Sequence, residues 1–521
     1  MARGTLGKIL NGSFRPKKKR VEIRLLQWNI LADGLGDDGF LATEFSPIFE
    51  SADTNSKGYA ANDFMKLVRE AKLADTASGM TTKFSKLKGE EKKLKKMKAS
   101  AEGYEELKES VAKLKEETEK SELVKLKKQF QNSPQLEKVD SEILHWSKRY
   151  DRLKRIALEA DPDVITFQEI DHVKQFLEDR DFSAKYTCMV DNKTYKPPTY
   201  TGEKGGSKHD DLSPDKYFQH ILDSRAAFAP KSYSNAYLFR SKRDGAAADD
   251  IDDDGCVVFW KKDIFIALEL GFLRIPSDSE KSEAVVALTL QHRKTSKRLN
   301  VLTTHLPSGD EPKKELERLA VLNNPSANWT ARRICFDNKD KAWKEVPYED
   351  NPKFVGIASY VKHFVDRKQT DSSRTIFALD ANSRPSFPRI KSDSSSDETN
   401  VWHTILSQTT LESIWVQNAC IKENGESSDP KNPFVVSVNK MRGPSSNQPP
   451  KIGEHQLELI DHVFTNGKKS ELVTHVDFNK KDFVPTAPKR YISKEGDAEI
   501  DLFPSSTMPS DHLPVVVNIT M

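Results

Sequence analysis

Short apolar runs alternate with amphipathic segments along most of the chain. The apolar runs are rich in β-branched and aromatic residues, and they predict strands at 23–30, 163–170, 255–261, 284–290, 299–306, 375–381, 459–465 and 514–520. Apolar residues at helical spacing predict helices at 61–76, 146–160 and 354–367. Because strands and helices alternate, we predict an α/β protein rather than an all-β protein.

Residues 83–130 break this pattern because Lys, Glu and Leu dominate them. Their apolar residues recur at spacings of three, four and seven, which predicts helices, and Gly103 divides two arms. We therefore predict a solvent-facing helical hairpin, inserted at 77–140 within a single domain that spans 21–521. Two interpretations of the insertion remain open: a charged spacer without a function of its own, and an arm that docks a protein partner.

Composition limits the classes of function. The chain has 521 residues, of which 36% are hydrophobic and 31% are charged, and this balance indicates an ordinary core with highly charged insertions. A formal net charge of +3 provides no overall basic field, so local basic clusters would have to attract nucleic acid. The four cysteines are far apart and form no Cys-x-x-Cys motif, which argues against a zinc site and implies no disulfides. We therefore expect an intracellular protein.

The first 20 residues contain no acidic residue and end in the basic block RPKKKR at 15–20. Several interpretations of this tail remain open: a solvated segment, a nuclear signal or nucleic-acid patch, and a mitochondrial presequence. No apolar run approaches the roughly 20 residues of a membrane span, so we expect no membrane association. The expected location is cytoplasmic or nuclear, with the mitochondrion left open.

Six short polar signatures stand beside the predicted strands in a fixed order. They carry Asn29, Glu169, His305, Asp380 with Asn382, Asp461, and Asp511 with His512. Polar residues at strand ends, facing loops, are where a scaffold commonly carries chemistry. Each residue alone is more typical of a turn, a cap or a structural salt bridge. Together, the carboxylates, amides and imidazoles favour a hard-cation site that cleaves phosphate esters.

At these residues the chain resembles the endonuclease/exonuclease/phosphatase superfamily. The matching motifs are QWNI at 27–30, QE at 168–169, THL at 304–306, DAN at 380–382, IDH at 460–462 and SDH at 510–512. Within that superfamily the chain is similar to the nocturnin, Angel and carbon-catabolite-repressor-type deadenylase branch. This closer likeness rests on LQWNILADGL at 26–35, QEIDHV at 168–173, FAPK at 228–231 and DGCVVFWKKDIF at 254–265.

The resemblance implies a four-layer α/β/β/α sandwich of two mixed β-sheets and a requirement for Mg²⁺ or Mn²⁺. It makes Glu169 the main metal ligand and Asn29 its neighbour. Asp511 would face a second metal or the attacking water.

The resemblance also implies the roles of the remaining polar residues. Asp380 would activate or orient the water, and Asn382 would bind the scissile phosphate. His512, oriented by Asp461, would stabilise the transition state, and His305 would contact the phosphate.

Three departures from the deadenylase branch lie where substrate is chosen. Residues 455–459 read HQLEL where the branch has an aromatic-x-Gly stretch, His462 replaces a Tyr, and Pro-Ser-Gly at 307–309 replaces a Lys-containing segment. Downstream, Arg318, Lys313 and Lys314 could contact phosphates or form an exposed helix face.

The resemblance thus implies a Mg²⁺-dependent phosphodiesterase, acting as a 3′-to-5′ exoribonuclease or deadenylase-like enzyme that hydrolyses RNA with metal-activated water. The departures motivate an alternative, a phosphatase of a small phosphorylated metabolite such as a nicotinamide dinucleotide phosphate or an inositol phosphate. A third hypothesis is a non-catalytic adaptor that uses the charged hairpin, and the complete set of polar signatures argues against it.

Overall fold

A computed structural model describes most of the chain outside its first 20 residues. The described residues are 21–32, 40, 59–130, 140–170, 172–187, 227–230, 255–274, 284–309, 311–327, 329–337, 342–348, 352–367, 373–391, 398–426, 434–444, 446, 448–473, 475–478, 482–485, 490–491, 503–505 and 508–521. The basic block at 15–20 and residues 131–139 of the insertion therefore lie outside them.

The strands and helices follow the predicted alternation. The strands are β1 (Glu22–Asn29), β2 (Val164–Ile170), β3 (Tyr186–Thr187), β4 (Ala227–Pro230), β5 (Gly255–Lys261), β6 (Phe265–Arg274), β7 (Ala284–His292), β8 (Arg298–His305), β9 (Thr330–Asp337), β10 (Ala342–Glu345), β11 (Ser373–Asp380), β12 (Ile390–Lys391), β13 (Glu398–Thr399), β14 (Glu412–Ser413), β15 (Phe434–Val435), β16 (Val438–Met441), β17 (His455–Glu458), β18 (Asp461–Thr465), β19 (Ser470–Leu472), β20 (His475–Phe478), β21 (Asp482–Pro485), β22 (Arg490–Tyr491) and β23 (Val515–Thr520). The helices are α1 (Tyr59–Ala77), α2 (Met80–Lys96), α3 (Tyr104–Thr118), α4 (Glu122–Phe130), α5 (Trp146–Ala160), α6 (Val173–Glu178), α7 (Arg180–Lys185), α8 (Pro312–Leu322), α9 (Ile357–Asp366), α10 (Val401–Thr409) and α11 (Ile414–Gln417).

Two large mixed sheets form the frame. The first has the strand order β19-β23-β1-β2-β5-β3, with β4 also paired to β5, and the second has the order β10-β9-β6-β7-β8-β11-β18-β14. In the first sheet β1 and β2 are parallel, and in the second β8 and β11 are parallel. The two strands of each parallel pair therefore end on the same side of their sheet. The predicted polar residues lie at these strand ends.

The main core joins both sheets and the helices outside them. Trp28 and Phe167 from the first sheet share one buried cluster with Phe377 from the second sheet, Leu153 of α5 and Trp402 of α10. Fully burying a large apolar side chain contributes roughly 1.5–3 kcal/mol relative to leaving it exposed, so this continuous core is the main source of stability. The arrangement confirms the predicted α/β/β/α sandwich.

A second apolar cluster fastens the insertion to this frame. Its members come from α1, α4, the segment before α5, the chain after β1, and the β16–β17 hairpin: Leu31, Phe40, Phe64, Val68, Ala71, Leu123, Leu126, Phe130, Ile143, Leu144, Met441 and Ile452. Gly453 lies against α1, where an added Cβ would come within 2.5 Å of Val68. The expected two-armed hairpin is thus built differently: α2 and α3 form the arms, and α4 packs into the body.

Among the described residues, no helix combines the length and apolar character that crossing a bilayer requires.

Candidate active site

The ends of four core strands and the start of a fifth bring the predicted polar residues together. Asn29 and Glu169 come from β1 and β2, and His305 and Asp380 end β8 and β11, where they are direct neighbours across the ladder. Asp461 begins β18 opposite Asp380. His512 precedes β23 and bridges to Val438 on β16. The structure therefore gathers residues separated by up to 483 positions into one buried group.

His512 and Asp461 form one bonded pair in this group. The two residues are 2.7 Å apart, from Nδ1 of the imidazole to Oδ2 of the carboxylate, and both are buried. The second oxygen of Asp461 accepts a hydrogen bond of 2.9 Å from Nε2 of Gln27. Burial alone would lower the pKa of His512, but the charges of Asp461, Asp511 and Asp380 outweigh it and raise that pKa to about 10. The three carboxylates therefore favour the imidazolium form of His512.

Asp380 is held by two donors on opposite oxygens. Nδ2 of Asn29 donates to Oδ2 at 2.8 Å, and the backbone N–H of Asn382 donates to Oδ1 at 2.9 Å. Burial raises the pKa of Asp380 to about 6, against the opposing effect of the His512 charge. A carboxylate with that pKa is a suitable proton acceptor near neutral pH.

The Asn382 side chain faces the same space. Its Nδ2 lies 2.7 Å from Nε2 of His305 and donates to the carbonyl oxygen of Leu306 at 2.9 Å. Asn382 is half-buried, unlike Asp380 beside it. Its amide is thus the part of the pair that is open to an incoming group.

A divalent cation fits the chemistry of the donors at this edge. Glu169, His305 and Asp380 each present a ligand atom within 4.8 Å of the others, and two of the three donors are carboxylate oxygens, which Mg²⁺ and Mn²⁺ prefer. Asn29 contributes to this cation site less directly than predicted. Its oxygen accepts the backbone N–H of Leu31 at 3.0 Å while its nitrogen faces Asp380, so it orients that carboxylate.

Three of the seven non-glycine residues with positive φ in the described part of the chain lie at the same place. Leu31, Glu169 and Asn382 have φ values of 58°, 53° and 48°. Residues other than glycine rarely occupy this left-handed region, at a cost of roughly 1–3 kcal/mol each, and such strain concentrates at functional sites. At Glu169 the strain coincides with an irregular register between β2 and β5, and the carboxylate lies 3.6 Å from Nε2 of His305 on the second sheet.

Lys440 is the site residue that the sequence did not reveal. It lies on β16, and its Nζ is 2.5 Å from Oδ2 of Asp511, with both side chains buried or nearly so. Burial would raise the pKa of Asp511, but Lys440 and His512 lower it to about 2. The alternation of Val, Ser, Val, Asn, Lys and Met at 436–441 could have indicated a strand here, although not the partner of its lysine.

The three basic residues predicted to meet phosphate are placed unequally. Arg318 is fully buried, bonds to Glu315 at 2.8–2.9 Å, and donates to the carbonyl oxygens of Pro307 and Gly309. The guanidinium therefore holds the loop after His305 instead of facing solvent, and the proposed phosphate contact has no support at this residue. Lys313 is exposed on α8, and Lys314 pairs with Glu317 at 2.6 Å.

Glu315 continues this internal network towards the site. Its Oε1 accepts hydrogen bonds from Ser383 Oγ at 2.9 Å and from the backbone N–H of Val401 at 2.8 Å. The network thus joins α8, the segment that follows Asn382, and the start of α10. It fixes the two loops on either side of the Asp380 strand end.

One family of known proteins matches most of the chain. The sequence profile of the Endonuclease/Exonuclease/phosphatase family matches residues 137–512. A search of curated proteins gave no significant match.

Solved structures that resemble this chain do so at low sequence identity. The human Nocturnin catalytic domain with bound sulfate is 13% identical, with a TM-score of 0.37, over 72% of this chain and 88% of that one. ANGEL2, described as a 2′,3′-cyclic phosphatase and bound to adenosine-2′,3′-vanadate, is 13% identical, with a TM-score of 0.37, over 73% and 87%. A mannosyl-6-phosphatase of Bacteroides thetaiotaomicron is 12% identical, with a TM-score of 0.33, over 72% and 92%.

Proposed function

Because this chain belongs to the endonuclease/exonuclease/phosphatase family, whose members are phosphoric ester hydrolases, we propose that it is a Mg²⁺- or Mn²⁺-dependent phosphodiesterase that hydrolyses RNA. The observation that carries the proposal is the buried His512–Asp461 pair, aimed at the edge where Asp380 and Glu169 meet. A cationic imidazole opposite a proton-accepting carboxylate is suited to a reaction at phosphorus.

The residues of this group take two different parts in the reaction, one on each side of the substrate. Glu169, with Asp380 beside it, would hold the divalent cation, which supplies positive charge to the scissile phosphate when bound. Asp380 accepts the proton of the attacking water, and the amide of Asn29 keeps its carboxylate in place. As the P–O ester bond breaks, His512 donates a proton or a hydrogen bond to the ester oxygen that leaves.

The remaining residues position these groups. Asp461 fixes the His512 imidazole through Nδ1, which leaves Nε2 directed at substrate. The side-chain amide of Asn382 lies beside the ring of His305, and together they would bind a non-bridging phosphate oxygen. Asp511 neutralises Lys440, and it is therefore a poorer candidate for a second metal ligand than the sequence suggested.

RNA is the preferred substrate because the chain resembles the deadenylase branch at 26–35, 168–173, 228–231 and 254–265. These stretches include the strand that carries Asn29 and the strand that carries Glu169. On this basis we propose stepwise 3′-to-5′ removal of nucleotides, with poly(A) as one candidate substrate.

The test offers 5′-labelled RNA, with and without a 3′ oligo(A) tail, beside a panel of phosphorylated metabolites in Mg²⁺. Loss of one preorganised group that stabilises charge typically costs about 100-fold or more, so Glu169→Ala and His512→Ala should each lower turnover by at least that factor while the fold is kept. His292→Ala, at the opposite end of the second sheet, is the matched control and should retain activity. Unchanged turnover in either site variant would contradict the assignment.

A second candidate is a phosphatase of a small phosphorylated metabolite. The observation that favours it is the loop after His305, which lacks the branch's lysine and is fastened inward by Arg318. Phosphate release from a metabolite without shortening of any RNA would establish this activity and exclude the first.

A further inference from the structure

One face of α2 carries positive charge that the described part of the protein does not neutralise. Lys88, Lys92, Lys93 and Lys96 are all exposed, and none pairs with an acidic side chain of the described residues. The spacing of four between Lys88, Lys92 and Lys96, and of three between Lys93 and Lys96, makes them neighbours along the helix. We refer to these four residues as the α2 basic stripe.

The acidic residues of α2 point the other way. The helix holds seven lysines and only two glutamates, so its net charge is strongly positive. Glu90 accepts a hydrogen bond of 2.6 Å from Ser110, and Glu91 pairs with Lys115 at 3.0 Å. Glu90 also pairs with Lys86 of α2 at 3.8 Å, so both glutamates are paired within the two arms.

This face is not arranged for the stability of the helix. Like charges four residues apart, as in Lys88, Lys92 and Lys96, destabilise a helix by a few tenths of a kcal/mol per pair, roughly 0.2–0.5. Gly89 lies among them and costs about 1 kcal/mol more than alanine would, yet a Cβ there would meet nothing within 4 Å. A glycine without a packing reason leaves the backbone open to the close approach of a ligand.

The stripe is fastened to the same frame as the active site. The second apolar cluster joins α1 and α4 to Leu31, two residues after Asn29, and to Met441, next to Lys440. Lys127 of α4 donates to the carbonyl oxygen of Ser446 at 2.8 Å, which adds a polar link. Through α1, which leads directly into α2, the basic face is tied to the body that holds the catalytic residues.

We propose that the α2 basic stripe binds the phosphate backbone of RNA outside the catalytic site. The inference rests on the proposed function and names a second contact for the same substrate. Lysine side chains on flexible stems act as point charges that hold a backbone without reading its sequence. Such a contact suits an enzyme that must keep hold of a long chain whose end it shortens.

The experiment measures RNA binding as a function of salt in the full chain made inactive by His512→Ala. Each lysine in contact with a single-stranded backbone contributes about 0.7 to the slope of log affinity against log salt. The triple variant Lys88→Gln/Lys92→Gln/Lys96→Gln should therefore lower the magnitude of the slope by about 2. In the active enzyme, the same triple should raise KM for long RNA and leave kcat unchanged.

The matched control removes the same charge from exposed positions on the other arm, by Lys108→Gln/Lys113→Gln/Lys120→Gln. It should keep the wild-type slope. An unchanged slope in the stripe variant, or an equal fall in the control, would overturn the proposal and leave an acidic protein as the better partner for α2. Failure of the proposed function is distinguishable, because it appears as the absence of RNA cleavage by the active enzyme whatever the slope.

Discussion

Lys440 and Asp511 each bury a charge that the other compensates. Their oppositely charged atoms are 2.5 Å apart, and Asp511 is almost inaccessible to solvent. Removing one partner of a buried pair leaves the other uncompensated, which typically costs about 3–5 kcal/mol, whereas replacing both with apolar residues of similar size is often neutral. The pair therefore predicts a stability effect that is independent of any assay of activity.

Lys440→Met should lower the free energy of unfolding by about 3–5 kcal/mol, and Lys440→Met/Asp511→Leu should recover most of the loss. Urea unfolding of the two variants and the wild type measures both effects. Equal stabilities for the single and double variants would show that the charges are not coupled.

His462 lies next to Asp461 and faces away from the site. Its Nε2 is 2.9 Å from the carbonyl oxygen of Ser383, and its ring packs against Trp402 at 5.0 Å. Burial lowers the pKa of His462 from 6.5 to about 4, so the folded protein keeps this imidazole neutral. Below pH 6.5 the unfolded chain binds a proton that the folded chain does not. Stability is then full above that pH and falls as the pH drops towards 4.

Between about pH 7.5 and about pH 5 this residue should reduce the free energy of unfolding by roughly 2 kcal/mol. His462→Gln keeps an N–H donor but cannot titrate, so it should show a correspondingly smaller loss over the same range. Exposed His145→Gln serves as the control and should keep the wild-type dependence. Parallel unfolding curves for the wild type and His462→Gln at both pH values would refute this account.

The sequence predicted which residues belong to the site better than it predicted which of them contact each other. Order, strand position and the family resemblance were enough to predict that Glu169, Asp380 and His512 belong to one site, although Glu169 and Asp380 come from two different sheets. The ion pair of Lys440 could not be predicted, since its partner is 71 residues away and only the folded hairpin brings them together. The burial of Arg318 could not be predicted for a related reason. It depends on Glu315 and on the loop after His305, to which the guanidinium donates hydrogen bonds.

At the scale of elements, the insertion consists of two parts with different attachments. Helix α4 contributes Leu123 and Leu126 to the second apolar cluster, beside Phe64 and Val68 of the preceding helix α1, whereas α2 contributes none. Periodicity predicted helices throughout this region, but it could not show that the last of them belongs to the body. The reason is that an amphipathic face looks the same in a sequence whatever it packs against.

Removal of the α2–α3 arms should leave a folded protein. Asp75 near the end of α1 accepts hydrogen bonds from Ser121 and from the backbone N–H of Glu122, so the two attachment points already lie side by side. Replacing residues 79–119 with a short Gly-Ser linker should therefore change the melting temperature by only a few degrees. Phe64→Ala, which creates a cavity in the second apolar cluster, should cost about 3–5 kcal/mol. The prediction fails if the shortened chain unfolds.

At the scale of the whole molecule, the cation predicted at Glu169 should stabilise the folded state. An ion that binds only the folded chain contributes about 2.7 kcal/mol when its concentration is 100-fold above the dissociation constant. Thermal unfolding in EDTA and in increasing Mn²⁺ should show a rising melting temperature for the wild type and little change for Glu169→Gln. Glu159→Gln removes an exposed charge on α5 and should behave as the wild type does.

The position of β23 has a consequence for how the protein is made. This late strand lies between β19 and β1, and its neighbouring loop is bonded to β1 through Trp28 and through the carbonyl oxygen of Asn29. During translation, β1 leaves the ribosome hundreds of residues before β23. The side of β1 that pairs with β23 therefore stays unpaired until β23 is made. His512 is the last along the chain of the polar residues gathered at the strand ends, so the buried group that it forms with Asp461 and Asp380 is complete only after translation has passed it.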